Sequence, residues 1–134
     1  MHVYRHQIRY HETDAQGFLF NARYLEIADV AMTEFLRALG HRFQDLGAIG
    51  FDPSLVKAEI AFRKPTHFDD VVDVDVTCRH VGRSSFALRY AMSCSATPVC
   101  DVDITYVNIA RDTETSAPLP DPIADALRAH ADEV

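Results

Sequence analysis

The chain has 134 residues, of which 48% are hydrophobic and 25% charged, and its net charge is −7. That length suits one domain, a single unit over residues 1–134, and the composition is apolar enough for a buried core. An acidic balance excludes nucleic acid as a general partner, because phosphate backbones bind a basic face. No segment approaches the roughly 20 apolar residues that span a bilayer. The N-terminal MHVYRHQIRYHETD lacks the apolar run of a signal peptide, so the expected compartment is cytoplasmic.

The first residues alternate. Tyr4, His6, Ile8 and Tyr10 share one phase, and Arg5, Gln7 and Arg9 the other, which is the period of a half-buried strand. HETDAQG follows as a polar loop ending in glycine. The spacing then predicts a helix from about Ala22 to Leu39, ended by Gly40. Glu26, Asp29, Thr33 and Arg37 make one narrow polar stripe on it. Tyr24, Leu25, Ile27, Ala28, Ala31, Met32, Phe35, Leu36 and Leu39 cover nearly everything else. A helix so apolar is buried on most sides, so the rest of the chain must wrap it.

Four further strands are predicted, each with one apolar face. The inward sets are Val56, Ala58, Ile60, Phe62; Val72, Val74, Val76, Cys78; Phe86, Leu88, Tyr90, Met92, Cys94; and Cys100, Val102, Ile104, Tyr106. The links KPTHFDD, HVGRS and SATP are short, which favours antiparallel pairing. The expected architecture is α+β, a curved antiparallel sheet of about five strands around one long central helix. The tail from about Asp112 is polar and Pro-rich, with a short helix expected over about Ile123 to Ala131. Open sheet edges are commonly closed by a second copy, so a homodimer or homotetramer is expected.

Cys78, Cys94 and Cys100 are odd in number and show no C-x-x-C spacing, which argues against a disulfide framework or a zinc site. All three fall at apolar-phase strand positions and read as small core hydrophobes. No metal site is expected from the seven histidines.

RYHETDAQGFLFNARYLEIAD joins the first strand to the helix and places Asp14 in the loop and Asn21 at or near the helix start. The start of a helix has unpaired backbone N–H groups and a partial positive charge, which polarise a carbonyl and stabilise an oxyanion. A carboxylate seven residues earlier reaches the same carbonyl carbon, as nucleophile or through a water. Together they make a minimal acyl-hydrolase site with no need of a metal or a serine. An aspartate here also serves as an ordinary cap or turn residue, and spacing leaves both roles open. His11 and Glu12 read as solvent-facing flanks. Phe18, Phe20 and Phe51 read as pocket walls or core.

The pattern Tyr10-x-x-x-Asp14-x-x-Gly17-x(6)-Tyr24, running onto a long helix, resembles the hotdog-fold acyl-CoA thioesterases, in the 4-hydroxybenzoyl-CoA thioesterase and YbgC-like group. AEIAFRKPTHFDDVVDVDV and VGRSSFALRYAM resemble that group's later strands, so the similarity covers most of the chain. The resemblance implies a hotdog fold and hydrolysis of an acyl- or aroyl-CoA, with coenzyme A as part of the substrate and no other cofactor. It implies Asp14 as the catalytic carboxylate and Asn21 as the backbone donor to the thioester carbonyl. Gly17 would form the turn between them, and Tyr24 would pack on the helix's first turn. Many relatives of the YbgC type carry histidine where this chain has Asn21, a change that a backbone donor tolerates. Arg83, Ser84 and Ser85 match a turn that contacts the nucleotide end of coenzyme A, and Arg63 and Lys64 are further phosphate candidates. Two other readings are a hotdog enoyl-thioester hydratase or dehydratase, which Asn21 in place of histidine disfavours, and a non-catalytic acyl-thioester binding protein.

Overall fold

The computed structural model describes residues 1–131; residues 132–134 of the expected domain lie outside the described residues. Strand β1 (His2–Gln7) leads through a 3₁₀ turn (Tyr10–Glu12) into helix α1 (Arg23–Ala38). A short helix α2 (Phe43–Leu46) and a second 3₁₀ turn follow. The chain then runs through β2 (Pro53–Phe62), β3 (Val71–Val81), β4 (Ser85–Cys94) and β5 (Thr97–Ala110), and ends in the two-residue β6 (Thr115–Ser116) and helix α3 (Asp121–Ala129). The main strands form one antiparallel sheet in the order β1-β3-β4-β5-β2, with β6 paired to the end of β5. The sheet curls as a half-barrel against α1, as the sequence leads one to expect.

The helix ends where the sequence places its stop. Gly40 takes φ +94°, its N–H donates to the Arg37 carbonyl, and the His41 N–H donates to Leu36. This is a Schellman cap, which needs a residue free to enter the left-handed region. Tyr24, Ile27, Ala28, Ala31, Met32, Phe35 and Leu36 are buried, while Glu26, Asp29, Val30 and Arg37 are exposed. The helix is therefore covered on one broad face and open on the other.

Strands β3, β4 and β5 bury the predicted alternate residues except Cys94, which is only half-buried at the end of β4, and Tyr90 and Tyr106 satisfy each other's buried hydroxyls at 2.5 Å. Two expectations fail at the edges. On β2 the series Val56, Ala58, Ile60, Phe62 is not buried within one chain; Val56 is 56% and Phe62 54% exposed. The register slips between Leu55 and Lys57, and among the described residues Val56 and Phe62 stay largely uncovered on this last strand of the sheet. Tyr10 was expected to continue the inward phase of β1, but the strand stops at Gln7 and the 3₁₀ turn throws Tyr10 out to 78% exposure.

The inward series of β5 runs one step beyond its apolar members to Asn108, which is fully buried. Its Nδ2 donates to the carbonyls of Gly50 and Pro118, and its Oδ1 accepts the Asp52 N–H at 2.7 Å. One amide thus ties the approach to β2 and the tail to the sheet. Asn108→Ala removes these bonds and strands their partners, so it is expected to lower the urea-derived unfolding free energy by roughly 2–4 kcal/mol; an unchanged midpoint refutes that role. Burial pushes the Cys100 thiol up to about 12. At pH 8 only about one molecule in 10⁴ is then thiolate, and mass spectrometry should find Cys100 alkylated by iodoacetamide in urea but not in the native protein.

Candidate active site

The loop between β1 and α1 is a small hairpin of its own. Thr13 pairs with Leu19 and Phe18 with His67. The Asp14 N–H donates to the Phe18 carbonyl and the Leu19 N–H to Thr66, at 2.9 and 2.8 Å. At its tip the Gly17 N–H returns to the Asp14 carbonyl at 2.9 Å, closing a four-residue turn with aspartate first and glycine last, the arrangement such turns favour. Gly17 has φ +79°, so it serves the turn itself.

Asp14 is partly buried and holds this turn with one oxygen. Its Oδ1 accepts the N–H of Gln16 at 2.9 Å and of Phe18 at 3.3 Å. Among the described residues, Oδ2 receives no hydrogen bond. The turn role left open by the sequence is therefore real, and it leaves half of the carboxylate disengaged.

A cleft of about 240 Å³ lies beside the loop, lined by Phe18, Leu19, Asn21, Tyr24, Phe62, Arg63, Lys64 and Pro65. The structure brings Asn21, Tyr24, Arg63 and Lys64 to one place. Asp14 is not itself a wall of this cleft; it adjoins it through its two bonds to Phe18. Tyr24, 3% exposed, forms the floor. Its hydroxyl meets Thr66 Oγ1 at 2.8 Å, and its ring stands edge-on to Phe62 with centroids 5.5 Å apart. Burial raises its phenol above the ordinary value, against the opposing bond to Thr66.

The helix start differs in detail from expectation. Ala22 is the N-cap and Asn21 precedes it. The N–H groups of Arg23, Tyr24 and Leu25 turn back to the carbonyls of Phe20, Asn21 and Ala22. Among the described residues, the N–H groups of Asn21 and Ala22 have no protein acceptor, and Asn21 is a wall of the cleft. Of the two cleft cations, Arg63 is already held by Asp101 through Nε and Nη2, at 2.9 and 2.6 Å. Lys64 has no carboxylate partner among the described residues.

Arg83, Ser84 and Ser85 lie elsewhere. Their turn opens β4, where the Arg83 carbonyl accepts from Leu119 and the Ser84 carbonyl from Asn108. The cleft adjoins Phe62, which pairs with Cys100 and through it with Met92 at the far end of β4. Seven residues of strand separate the two places, about 23 Å, so one chain does not join this turn to the cleft.

Glu12 corrects the reading of a solvent-facing flank. Its side chain is 11% exposed and meets His6 Nε2 at 2.8 and 3.1 Å. Oε1 also accepts the Arg9 N–H at 2.7 Å. Burial alone would raise this carboxyl, but the Arg9 N–H and His6 outweigh it and hold it below its ordinary value. A depressed carboxyl contributes its stability above the ordinary 4.5 and loses it only in more acid solution, so the contact persists at neutral pH. His11 is exposed, as expected.

Of the three phenylalanines weighed for the pocket, Phe18 lines it, Phe20 is exposed, and Phe51 packs in the core against Phe86. Phe62 and Thr66 were missed as site residues. The K-P pair after Phe62 was the available signal, since it marks where the strand leaves the sheet. His2 and His6 have the H-x-x-x-H spacing, but on a strand that spans about 13 Å. They pair separately with Asp73 and Glu12.

Residues 8–127 match the model of the Thioesterase-like superfamily. The 1,4-dihydroxy-2-naphthoyl-CoA hydrolase of Synechococcus elongatus is 30% identical over 129 residues, 93% of each chain. The crystal structure of Slr0204, a 1,4-dihydroxy-2-naphthoyl-CoA thioesterase from Synechocystis, superposes with a TM-score of 0.85 at 27% identity and covers 95% of both chains. The hypothetical protein TT1821 from Thermus thermophilus shares the fold, with a TM-score of 0.88 at 24% identity over 97% of this chain and 99% of that one. A wrapped helix, a carboxylate turn before it and a match over nearly the whole length agree: the chain belongs to the Thioesterase-like superfamily, as a thioester hydrolase of the hotdog fold.

Proposed function

We propose that the protein hydrolyses the thioester of an acyl-CoA, with an aromatic acyl group, to the free acid and coenzyme A. The observation that carries this reading is the Asp14 turn bonded to Phe18 at the rim of a cleft that also presents the free N–H groups beside Asn21. Phe18, Tyr24 and Phe62 give the cleft three aromatic walls, which suit a flat ring. The names of the cyanobacterial relatives, both naphthoyl-CoA enzymes, support the same class. Coenzyme A enters as part of the substrate, and the chemistry calls on no separate cofactor.

In the hydrolysis, Asp14 takes a proton from water as its oxygen bonds to the carbonyl carbon. The carbonyl electron pair moves to oxygen and is met by the N–H groups of Asn21 and Ala22. Collapse of this intermediate breaks the C–S bond, and the departing thiolate takes up the proton. Direct attack by Asp14, giving a mixed anhydride that water then opens, uses the same residues and yields the same products. Lys64 at the cleft, and Arg63 where it can leave Asp101, supply positive charge for the phosphates.

The active form in this reading is a homodimer. Strand β2 offers an unpaired edge and the exposed side chains Leu55, Val56 and Phe62, and Phe62 is also a cleft wall. A second copy covering this edge deepens the cleft and gives the distant Arg83–Ser85 turn a way to a site, on the neighbouring chain. The setting is cytoplasmic; Cys78, Cys94 and Cys100 form no disulfide among the described residues, which suits a reducing compartment.

Asp14→Asn is expected to slow thiol release from a benzoyl-CoA or naphthoyl-CoA panel by roughly 10²–10⁴-fold. Parental turnover in that variant sinks the assignment, and faster turnover of aliphatic than aromatic esters sinks the substrate class. Sedimentation of the parent should give a dimer at micromolar concentration, and Val56→Asp should shift it toward monomer with loss of activity.

A further inference from the structure

We infer that Glu12 is the positioning residue for Asp14, through a lock between the loop and strand β1. The inference rests on Asp14 being the reacting carboxylate. Asp14 stands on a hairpin whose two arms leave the body of the protein at Thr13 and Phe20. Glu12 joins the two arms at their base and also ties that base to β1. Its backbone carbonyl accepts the Phe20 N–H at 3.0 Å, across the base of the hairpin. Its carboxylate accepts the Arg9 N–H at 2.7 Å and engages His6 at 2.8 and 3.1 Å, which fixes that base to β1.

The anchor is itself anchored. His6 Nδ1 meets the Tyr4 hydroxyl at 3.1 Å, so the ring is held from both nitrogens, and both members of the pair are largely shielded, at 17% and 11% exposure. A surface ion pair of two long chains would be loose and weak. This one is short, enclosed and made by a ring with few rotamers, so it transmits position. From Glu12 to Asp14 there is one intervening residue, Thr13, whose N–H and hydroxyl both return to the Tyr10 carbonyl, at 3.2 and 2.7 Å. No soft joint separates the lock from the carboxylate. Arg9 and His11, on the same turn, and Glu34, on α1, are the other charged or titratable groups that bear on Glu12 or on Tyr4, the second partner of His6. Neither Arg9 nor His11 closes the bond from loop to strand.

The consequence is kinetic. Freeing the base of the hairpin moves the reacting group together with the walls Phe18 and Leu19, while Tyr24, Phe62, Arg63, Lys64 and Pro65 keep the rest of the cleft in place, and a misplacement of about 1 Å costs up to about 10²-fold in rate. Folded Glu12→Ala is expected to lose about 10- to 100-fold in kcat with KM changed less than about threefold. Glu12→Gln keeps the acceptor oxygen for Arg9 and His6 and should recover most of that loss. Because the effect passes through Asp14, the two substitutions should be non-additive: E12A/D14N should turn over at the rate of D14N alone.

The experiment measures kcat and KM for the four proteins on one aroyl-CoA, with circular dichroism and melting confirming the folded fraction. A kcat for folded E12A within twofold of the parent overturns the inference. So does a further fall, by the single-variant factor, when E12A is added to D14N. A fully active D14N is a different result; it removes Asp14 as the reacting group, whatever Glu12 does. Where E12A does not fold, His6→Phe opens the lock from the strand side and leaves the Arg9 bond in place, and parental kcat in that variant overturns the inference equally.

Discussion

Everything in this molecule is arranged around the burial of one face of α1. Ile27, Met32, Phe35 and Leu36 are each worth about 1.5–3 kcal/mol when removed from water. Ala28 and Ala31, both with no exposed surface, let the helix backbone approach the sheet closely. A flat sheet meets a helix along a line. Covering a face as wide as this one requires the sheet to curl, and the natural twist of antiparallel strands supplies the direction of that curl. Once the helix is seated, the position of its first turn is settled, and so is the place where the preceding loop must end. The bond from Tyr24 to Thr66 then fastens that first turn to the segment after β2, which forms the opposite wall of the cleft. The site is a consequence of the packing more than an addition to it.

The same logic separates what could be read in the sequence from what could not. Strands β3, β4 and β5 sit inside the sheet, where the apolar phase has only one side to go, and their alternation translated directly into burial. Strand β2 has the same alternation and a different fate. Periodicity reports that one face is apolar; it carries no information on whether the covering surface is in the same chain. Tyr10 failed for a second reason. The phase of a strand persists in sequence for a residue or two after the hydrogen bonding has stopped, and the 3₁₀ turn breaks it. Glu12 was hidden because its partner lies six residues earlier, across a turn whose geometry no local pattern announces. The Asp14 turn was the more legible part, since aspartate first and glycine fourth is a chemical preference of the backbone itself.

Charge shows how an acidic protein accommodates a polyanionic substrate in this reading. Most arginines are committed, Arg5 to Asp73, Arg63 to Asp101, Arg89 to Asp103 and Arg111 to Asp52, and Arg23, Arg37, Arg42 and Arg128 to carboxylates three residues away. Such pairs at the surface add little stability. Their effect is on availability, because a paired guanidinium answers an incoming phosphate only at the cost of leaving its carboxylate. Lys64 is different. It lies at the cleft and has no such commitment among the described residues, so the local field at the cleft can be positive while the whole chain is negative. Net charge excludes a class of large partners, and it says little about a ligand that touches a handful of residues.

In the proposed reading, Asp14 carries a structural and a chemical role on one side chain. A carboxylate has two oxygens. With Oδ1 committed to two backbone N–H groups, the rotation that would otherwise sweep Oδ2 through a wide arc is removed before any substrate arrives. The entropy of holding the group is then met by folding and not by binding. Attack on a thioester gains from that placement, since its carbonyl is already electrophilic and an accurately held carboxylate suffices. The amide geometry of DAQG, the lock at Glu12 and the seated helix therefore serve one end, a free carboxylate oxygen with nowhere else to point.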